Sequence, residues 1–189
     1  MFGCDLCKAT LLTLDRVTYF GTSPRYLLEL EVSKAIPKTD FDISALRMVN
    51  TTGAPLSHEQ YGWFYRAFPS KVQISNTAGG TDTATSLIAT DPTGALYPGE
   101  MQMLALGMDV DIADPDTGES IKRTGRAGEM VIRQPFSSMP VFFWGDKGNK
   151  IYRASYFERF PNMDVWAQHD WLSYNPVTQG FIMSGRRCV

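Results

Sequence analysis

The chain has 189 residues, 43% of them apolar and 12% aromatic, which is enough for a packed core and excludes a disordered polypeptide. Its net charge of −2, with no stripe of Lys and Arg, excludes a nucleic-acid binder that works through phosphate contacts. No apolar run approaches the ~20 residues that a membrane-spanning helix needs.

The N-terminal stretch MFGCDLCKATLLTLDRV carries Asp5 and Lys8 within its first eight residues and only a broken apolar segment. It makes a poor signal peptide, and the expected location is intracellular, in the cytoplasm. Three cysteines do not suggest a disulfide framework. Cys4-x-x-Cys7 has the spacing of half a zinc site, but no second pair follows and His58 and His169 lie far away in sequence. The pair reads as two incidental thiols.

RVTYFG (16–21) is rich in strand formers and is followed by TSPRYLLELEVSKA. Ser23 suits a helix N-cap and Pro24 the first helical turn, so a strand and a helix are expected from about 16 to 35, ended by Ile36 and Pro37. LRMVNTT (46–52) predicts a second strand, and Gly53, Ala54 and Pro55 turn the chain into a helix starting near Ser57. Ser57 and Gln60 have capping-box spacing, and Tyr61, Phe64, Tyr65 and Phe68 recur on one helical face. KVQIS (71–75) predicts a third strand.

This alternation predicts an α/β fold with a parallel sheet, whose ligands gather beyond the carboxyl ends of the strands. Three polar, glycine-bearing stretches fall at that edge: GTSPR (21–25), TTGAP (51–55) and TAGGTD (77–82). NTAGGTDTATS (76–86) is either a plain turn or a loop for a phosphate and a metal ion. Glycines let the backbone approach a ligand, threonine hydroxyls donate to phosphate, and an aspartate can hold Mg²⁺.

Beyond Gly94 helical periodicity gives way to short β segments and turn signals, with a strand at GEMVIR (128–133) and a hairpin turn from Asn175 and Pro176 to Gly180. Residues 1–93 are therefore expected to be the later part of an α/β subdomain. Residues 94–189 are expected to be a β-rich, barrel-like subdomain.

Taken together, YFGTSPRYL (19–27), LRMVNTTGAPLS (46–57), ISNTAGGTDTATS (74–86), YPGEMQ (97–102), GRAGEMVI (125–132), WAQHDW (166–171) and GFIMSGR (180–186) resemble the adenylate-forming acyl-CoA synthetases, in particular their acetoacetate-activating branch. The resemblance runs from about Val17 to Arg186. It implies ATP, Mg²⁺ and CoA as the reagents and acetoacetate as the acid. The acid's carboxylate would attack the α-phosphate to give an acyl-adenylate, and the CoA thiol would displace AMP.

By position in the family motifs, the resemblance implies that Thr81 bonds the α-phosphate and Asp82 holds Mg²⁺, the two catalytic positions. Gly53, Ala54 and Pro55 would lie along the adenine, Asp170 would take the ribose hydroxyls, and Arg186 would approach the ribose and phosphate. Gly79 stands where acetate-preferring relatives carry Trp, leaving room for a longer acyl group, with Thr52 and Gly21 as further pocket positions. His169 stands where the family more often has Gly, and is expected to be a satisfied structural histidine.

Two family parts have no counterpart in this sequence: a Lys-bearing phosphate loop before Tyr19, and a lid domain after the hinge near Arg186. The resemblance therefore implies a central piece of the enzyme, inactive alone, with sheet edges through which it could pair with a full-length synthetase. Other readings are a non-catalytic interaction protein and a ligase of other acyl specificity.

Overall fold

The computed structural model describes Thr10 and residues 12–186; the Cys4-x-x-Cys7 pair lies outside them. Three parallel strands, β1 (Tyr19–Thr22), β2 (Met48–Thr51) and β3 (Gln73–Asn76), form one sheet in the order β1-β2-β3. Helix α1 (Pro24–Val32) joins β1 to the one-turn helix α2 (Pro37–Asp40), and α3 (His58–Ala67) joins β2 to β3. The expected strand–helix alternation is present.

The local signals operate as expected. Ser23 caps α1 by accepting from the Tyr26 amide, and Pro24 occupies the first turn, where its missing N–H costs no hydrogen bond. Ser57 and Gln60 bond each other's backbone amides at the start of α3, at 3.3 and 3.2 Å. Helix α3 buries Tyr61, Trp63, Phe64 and Ala67, whereas Tyr65, expected on the same face, is 41% exposed. These side chains share one core with Tyr26, Leu27 and Leu30 of α1 and with Val49 and Ile74 of the sheet. Fully burying a side chain such as Phe64 or Leu27 stabilises the fold by about 1.5–3 kcal/mol.

NTAGGTDTATS is not an open loop. Strand β4 (Ala78–Gly80) pairs antiparallel with β5 (Thr85–Ala89), so the stretch is a hairpin with Thr81 and Asp82 in its turn. The turn is organised by buried Thr83, whose hydroxyl accepts from the Gly80 amide at 3.0 Å and lies 2.9 Å from the Gly80 carbonyl. Strand β6 (Met103–Leu104) completes this small sheet.

A second core lies under a four-stranded antiparallel sheet, ordered β10-β9-β8-β7. Its strands are β7 (Val110–Ala113), β8 (Gly128–Ile132), β9 (Trp166–Tyr174) and β10 (Phe181–Arg186), and the 175–180 turn joins β9 to β10 as expected. The expected barrel is not formed: among the described residues β7 and β10 are outer strands and do not pair. At Phe181 the outer edge of β10 is taken by Met101, with both backbone bonds at 2.8 Å.

Besides the one-turn α2, a longer helix escapes the sequence reading, α4 (Lys150–Tyr156). Its start is secured by Asp146, whose carboxylate accepts from the Ile151 and Tyr152 amides at 3.1 and 2.9 Å. The cap thus stands several residues upstream of the position where a capping residue is sought, and Asn149 at the N-cap adopts a left-handed conformation.

Candidate functional site

The carboxyl ends of β2 and β3 carry a ladder of small polar side chains rather than apolar ones. The Asn50 amide oxygen accepts from Ser75 Oγ (2.8 Å) and Thr77 Oγ1 (3.4 Å). Buried Thr51 donates to the Ser75 carbonyl (3.2 Å) or to Asn76 Oδ1 (3.3 Å). Paired in this way, the polar groups are buried without leaving donors unmatched. The chain then leaves β2 through Thr52, Gly53, Ala54 and Pro55, with Gly53 at φ 89°, a conformation a glycine tolerates.

Beyond this edge lies a half-open cavity of about 140 Å³. Its lining comes from three places: Thr52, Gly53, Ala54 and Pro55 after β2; Asn76, Thr77, Ala78 and Gly79 from the end of β3 into β4; and Met101, Asp170, Met183, Gly185 and Arg186. The parallel-sheet edge, the hairpin and the end of the antiparallel sheet therefore meet at one place. Of the expected site residues, Thr52, Gly53, Ala54, Pro55, Gly79, Asp170 and Arg186 line this cavity.

Asp170 is placed by a bulge. Strand β9 carries extra residues opposite β8 between the pairs Glu129↔Trp171 and Val131↔Ala167. The bulge holds His169 at φ 61°, a left-handed conformation that costs a non-glycine residue about 1–2 kcal/mol. His169 is anchored there by Nε2, 2.6 Å from the Ser155 carbonyl, and its Nδ1 lies 3.9 Å from Glu129 Oε1. The expected structural role of this histidine fits that anchoring.

Asp170 is buried, only 8% exposed. Burial pushes its pKa above the usual carboxylate range, and nearby Glu129 adds to this, while Arg186 and His169 pull it down. Arg186 Nε stands 3.4 Å from Asp170 Oδ1, and its own side chain is mostly exposed. The cavity thus offers a buried acceptor pair and an exposed guanidinium, together with the 52–55 backbone. A carboxylate can accept from two vicinal hydroxyls, and a guanidinium suits a phosphate.

Gly79 lines the cavity, but its missing side chain has a separate reason. A Cβ there would fall 2.2 Å from the Thr85 carbonyl oxygen and 2.9 Å from Ser86 Cα, at the register shift between β4 and β5. Gly21 lies in β1 opposite Asn50, with nothing within 4 Å of an added Cβ, and does not line the cavity. Thr81 and Asp82 do not line it either; both are exposed in the hairpin turn next to Gly79 and Gly80.

Asp82 is held from the far half of the chain: the Tyr156 hydroxyl donates to its Oδ2. Burial pushes the Tyr156 phenol up, and the Asp82 acceptor adds to this, so the hydroxyl remains a donor. No sequence signal links these two residues, because 74 positions separate them. Met101 and Met183 are further lining residues that the sequence reading missed, and methionines carry no signal that could have found them.

Residues 6–142 match the family model described as AMP-binding enzyme. Acetoacetyl-coenzyme A synthetase of Rhizobium meliloti (strain 1021) is 36% identical over 172 residues, covering 91% of this chain and 26% of that protein. Malonamoyl-CoA synthetase of Penicillium aethiopicum is 36% identical over 186 residues, covering 96% of this chain and 24% of that protein. The solved acetoacetyl-CoA synthetase from Streptomyces lividans superposes with a TM-score of 0.86 at 30% identity, covering 98% of this chain and 28% of that one. The chain thus spans about a quarter of the length of the relatives it matches. No helix among the described residues is long and apolar enough to cross a membrane. Neither the relatives nor the structure supports the expected pairing through a sheet edge. The cavity beyond the parallel strands, the match over residues 6–142 and the superposition agree, and the chain belongs to the AMP-binding enzyme family.

Proposed function

We propose that this chain carries the adenosine-holding side of an ATP-dependent acid–CoA ligase that activates acetoacetate. The observation behind the reading is buried Asp170, with Arg186 beside it, in the same cavity as the Gly53, Ala54 and Pro55 backbone. In this reading Asp170 accepts the two ribose hydroxyls, the 53–55 backbone lies along the adenine, and Arg186 approaches the ribose and phosphate. Thr81 donates to the α-phosphate from the adjoining turn. An oxygen of the acid's carboxylate attacks the α-phosphorus as pyrophosphate leaves. The CoA sulfur then attacks the acyl carbon, its proton is lost, and AMP departs.

Mg²⁺ is commonly held by one or two carboxylates together with substrate phosphates, and exposed Asp82 fits that requirement. When bound, the cation offsets the negative charge of the phosphates. The protein's part is to hold Asp82 and Thr81 in one turn, next to Gly79, which lines the cavity.

A second reading differs in the acid alone. The similarity to a malonamoyl-CoA synthetase, at 36% identity, is as high as that to the Rhizobium meliloti acetoacetyl-coenzyme A synthetase, and malonamate differs from acetoacetate in an NH2 group in place of the methyl on the β-carbonyl. Calorimetric titration of the chain with acyl-sulfamoyl-adenosine analogues tests both. The acetoacetyl analogue is expected to bind about tenfold tighter than the acetyl one, within what pocket shape can supply. Tightest binding by the malonamoyl analogue favours the second reading. Equal binding by wild type and Asp170→Asn overturns both.

A further inference from the structure

The turn that carries Thr81 and Asp82 is clamped by residues from the other half of the chain. Ser138 Oγ donates to the Thr83 carbonyl, and the Tyr156 hydroxyl donates to Asp82 Oδ2. The Gln168 amide lies against Gly80, where a Cβ would come within 2.9 Å of Nε2. The last two contacts share a support. The Tyr156 ring stacks flat on Trp166, with centroids 3.7 Å apart and planes 13° from parallel, and Trp166 Nε1 donates to Gln168 Oε1 at 2.8 Å. Trp166 is itself buried.

The direction of constraint follows from this packing. Tyr156 is the last residue of α4, stacked on a buried indole, so its ring is fixed without help from Asp82. Asp82 sits in an exposed turn, where an aspartate side chain is otherwise free to turn among rotamers. The hydrogen bond therefore orients the aspartate rather than the tyrosine. It occupies Oδ2 only, and among the described residues Asp82 forms no ion pair. The charge of the carboxylate and its other oxygen remain available.

We propose that Tyr156 is a positioning residue for Asp82, holding one carboxylate oxygen so that the other is presented to the divalent cation of a metal–nucleotide complex. The proposal rests on reading Asp82 as the cation's residue. Partners that orient a metal-holding carboxylate are known to tune metal affinity through this kind of contact. Here the orienting group sits on a helix that sequence periodicity does not reveal, 74 positions away.

The test measures the affinity of the full chain for ATP with Mg²⁺ and with EDTA, and for AMP with EDTA. Tyr156→Phe keeps the stacked ring and removes only the hydroxyl. It is expected to reduce the Mg²⁺-dependent gain in ATP affinity by about tenfold, the lower end for an orienting partner. AMP affinity and the near-ultraviolet circular dichroism are expected to stay unchanged. Asp82→Asn should abolish the gain, and the double variant should match Asp82→Asn alone, because Tyr156 acts only through Asp82. A Tyr156→Phe variant that keeps the full gain while Asp82→Asn loses it overturns the role of Tyr156 and leaves Asp82 in place. A full gain in Asp82→Asn, or none in wild type, overturns both. Loss of AMP affinity or of the dichroism signal in Tyr156→Phe means a merely structural tyrosine and overturns the proposal.

Discussion

Asp170 and Arg186 are cross-strand partners on β9 and β10, with Arg186 Nε 3.4 Å from Asp170 Oδ1. The pair is unequal: the carboxylate is buried and the guanidinium is largely in solvent. An ion pair with a solvent-exposed guanidinium contributes only about 0–1 kcal/mol, too little to offset the burial of the carboxylate charge. The raised pKa of Asp170 has the same origin. A carboxylate retained under such conditions is an expensive feature for the fold, which is the expected mark of a functional group.

Asp170→Asn should therefore separate binding from stability. Nucleotide affinity falls, because an amide accepts through one oxygen where the carboxylate has two. The fold gains on the order of 1 kcal/mol near pH 7, a rise in Tm of about 2–4 °C for a chain of this size. The pH sign follows from the raised folded-state pKa. The native state binds the Asp170 proton more tightly than the unfolded state, so its contribution is complete below the usual carboxylate value of 3.8 and is lost as pH rises through the raised value. Calorimetry from about pH 7 towards pH 4 should show the advantage of the variant shrinking as pH falls.

At His169 the backbone and side-chain contributions can be told apart. His169→Ala loses the contact to Ser155 and keeps the left-handed backbone, whereas His169→Gly loses the contact and relieves the backbone. The glycine variant is expected to be more stable than the alanine variant by about 1 kcal/mol. Chemical denaturation of the two variants measures the difference, and an alanine variant as stable as the glycine one would contradict the strained bulge.

Gly79→Ala places a methyl group 2.2 Å from the Thr85 carbonyl oxygen, against backbone that cannot swing aside. Overpacking of this kind costs about 1–3 kcal/mol. A Trp at this position, as in acetate-preferring relatives by the family resemblance, would also have to shift β4 against β5. Thermal unfolding of Gly79→Ala and Gly79→Trp should register the loss before any change in acyl preference is interpreted.

Ser57→Ala removes one half of the capping box of α3 and should cost about 1 kcal/mol. Circular dichroism during urea unfolding is the check. The midpoint should move while the slope does not, since the surface exposed on unfolding is unchanged.

Most of the first sheet was legible because its signals are local. Ser23 with Pro24, Ser57 with Gln60 and the strand-forming runs each act within a few residues, and the structure places the elements where those signals stand. Helix α4 was illegible because its capping group, Asp146, lies five and six residues before the amides it holds. The barrel expectation failed for a non-local reason: Met101 occupies the edge of β10 at Phe181.

The site divides along the same line. The sequence alone located the polar, glycine-bearing stretches 51–55 and 77–82 after two expected strands, because strand-forming runs and turn chemistry are short-range properties. Only the tertiary structure decided that Asp170 and Arg186 close the same cavity while Thr81 and Asp82 stand in a hairpin turn beside it. It alone joined Tyr156 to Asp82, since a hydrogen bond across 74 residues depends on how two separately specified units pack together. It also showed the 76–86 stretch as a hairpin, in which Gly79 is required by the approach of the next strand's backbone.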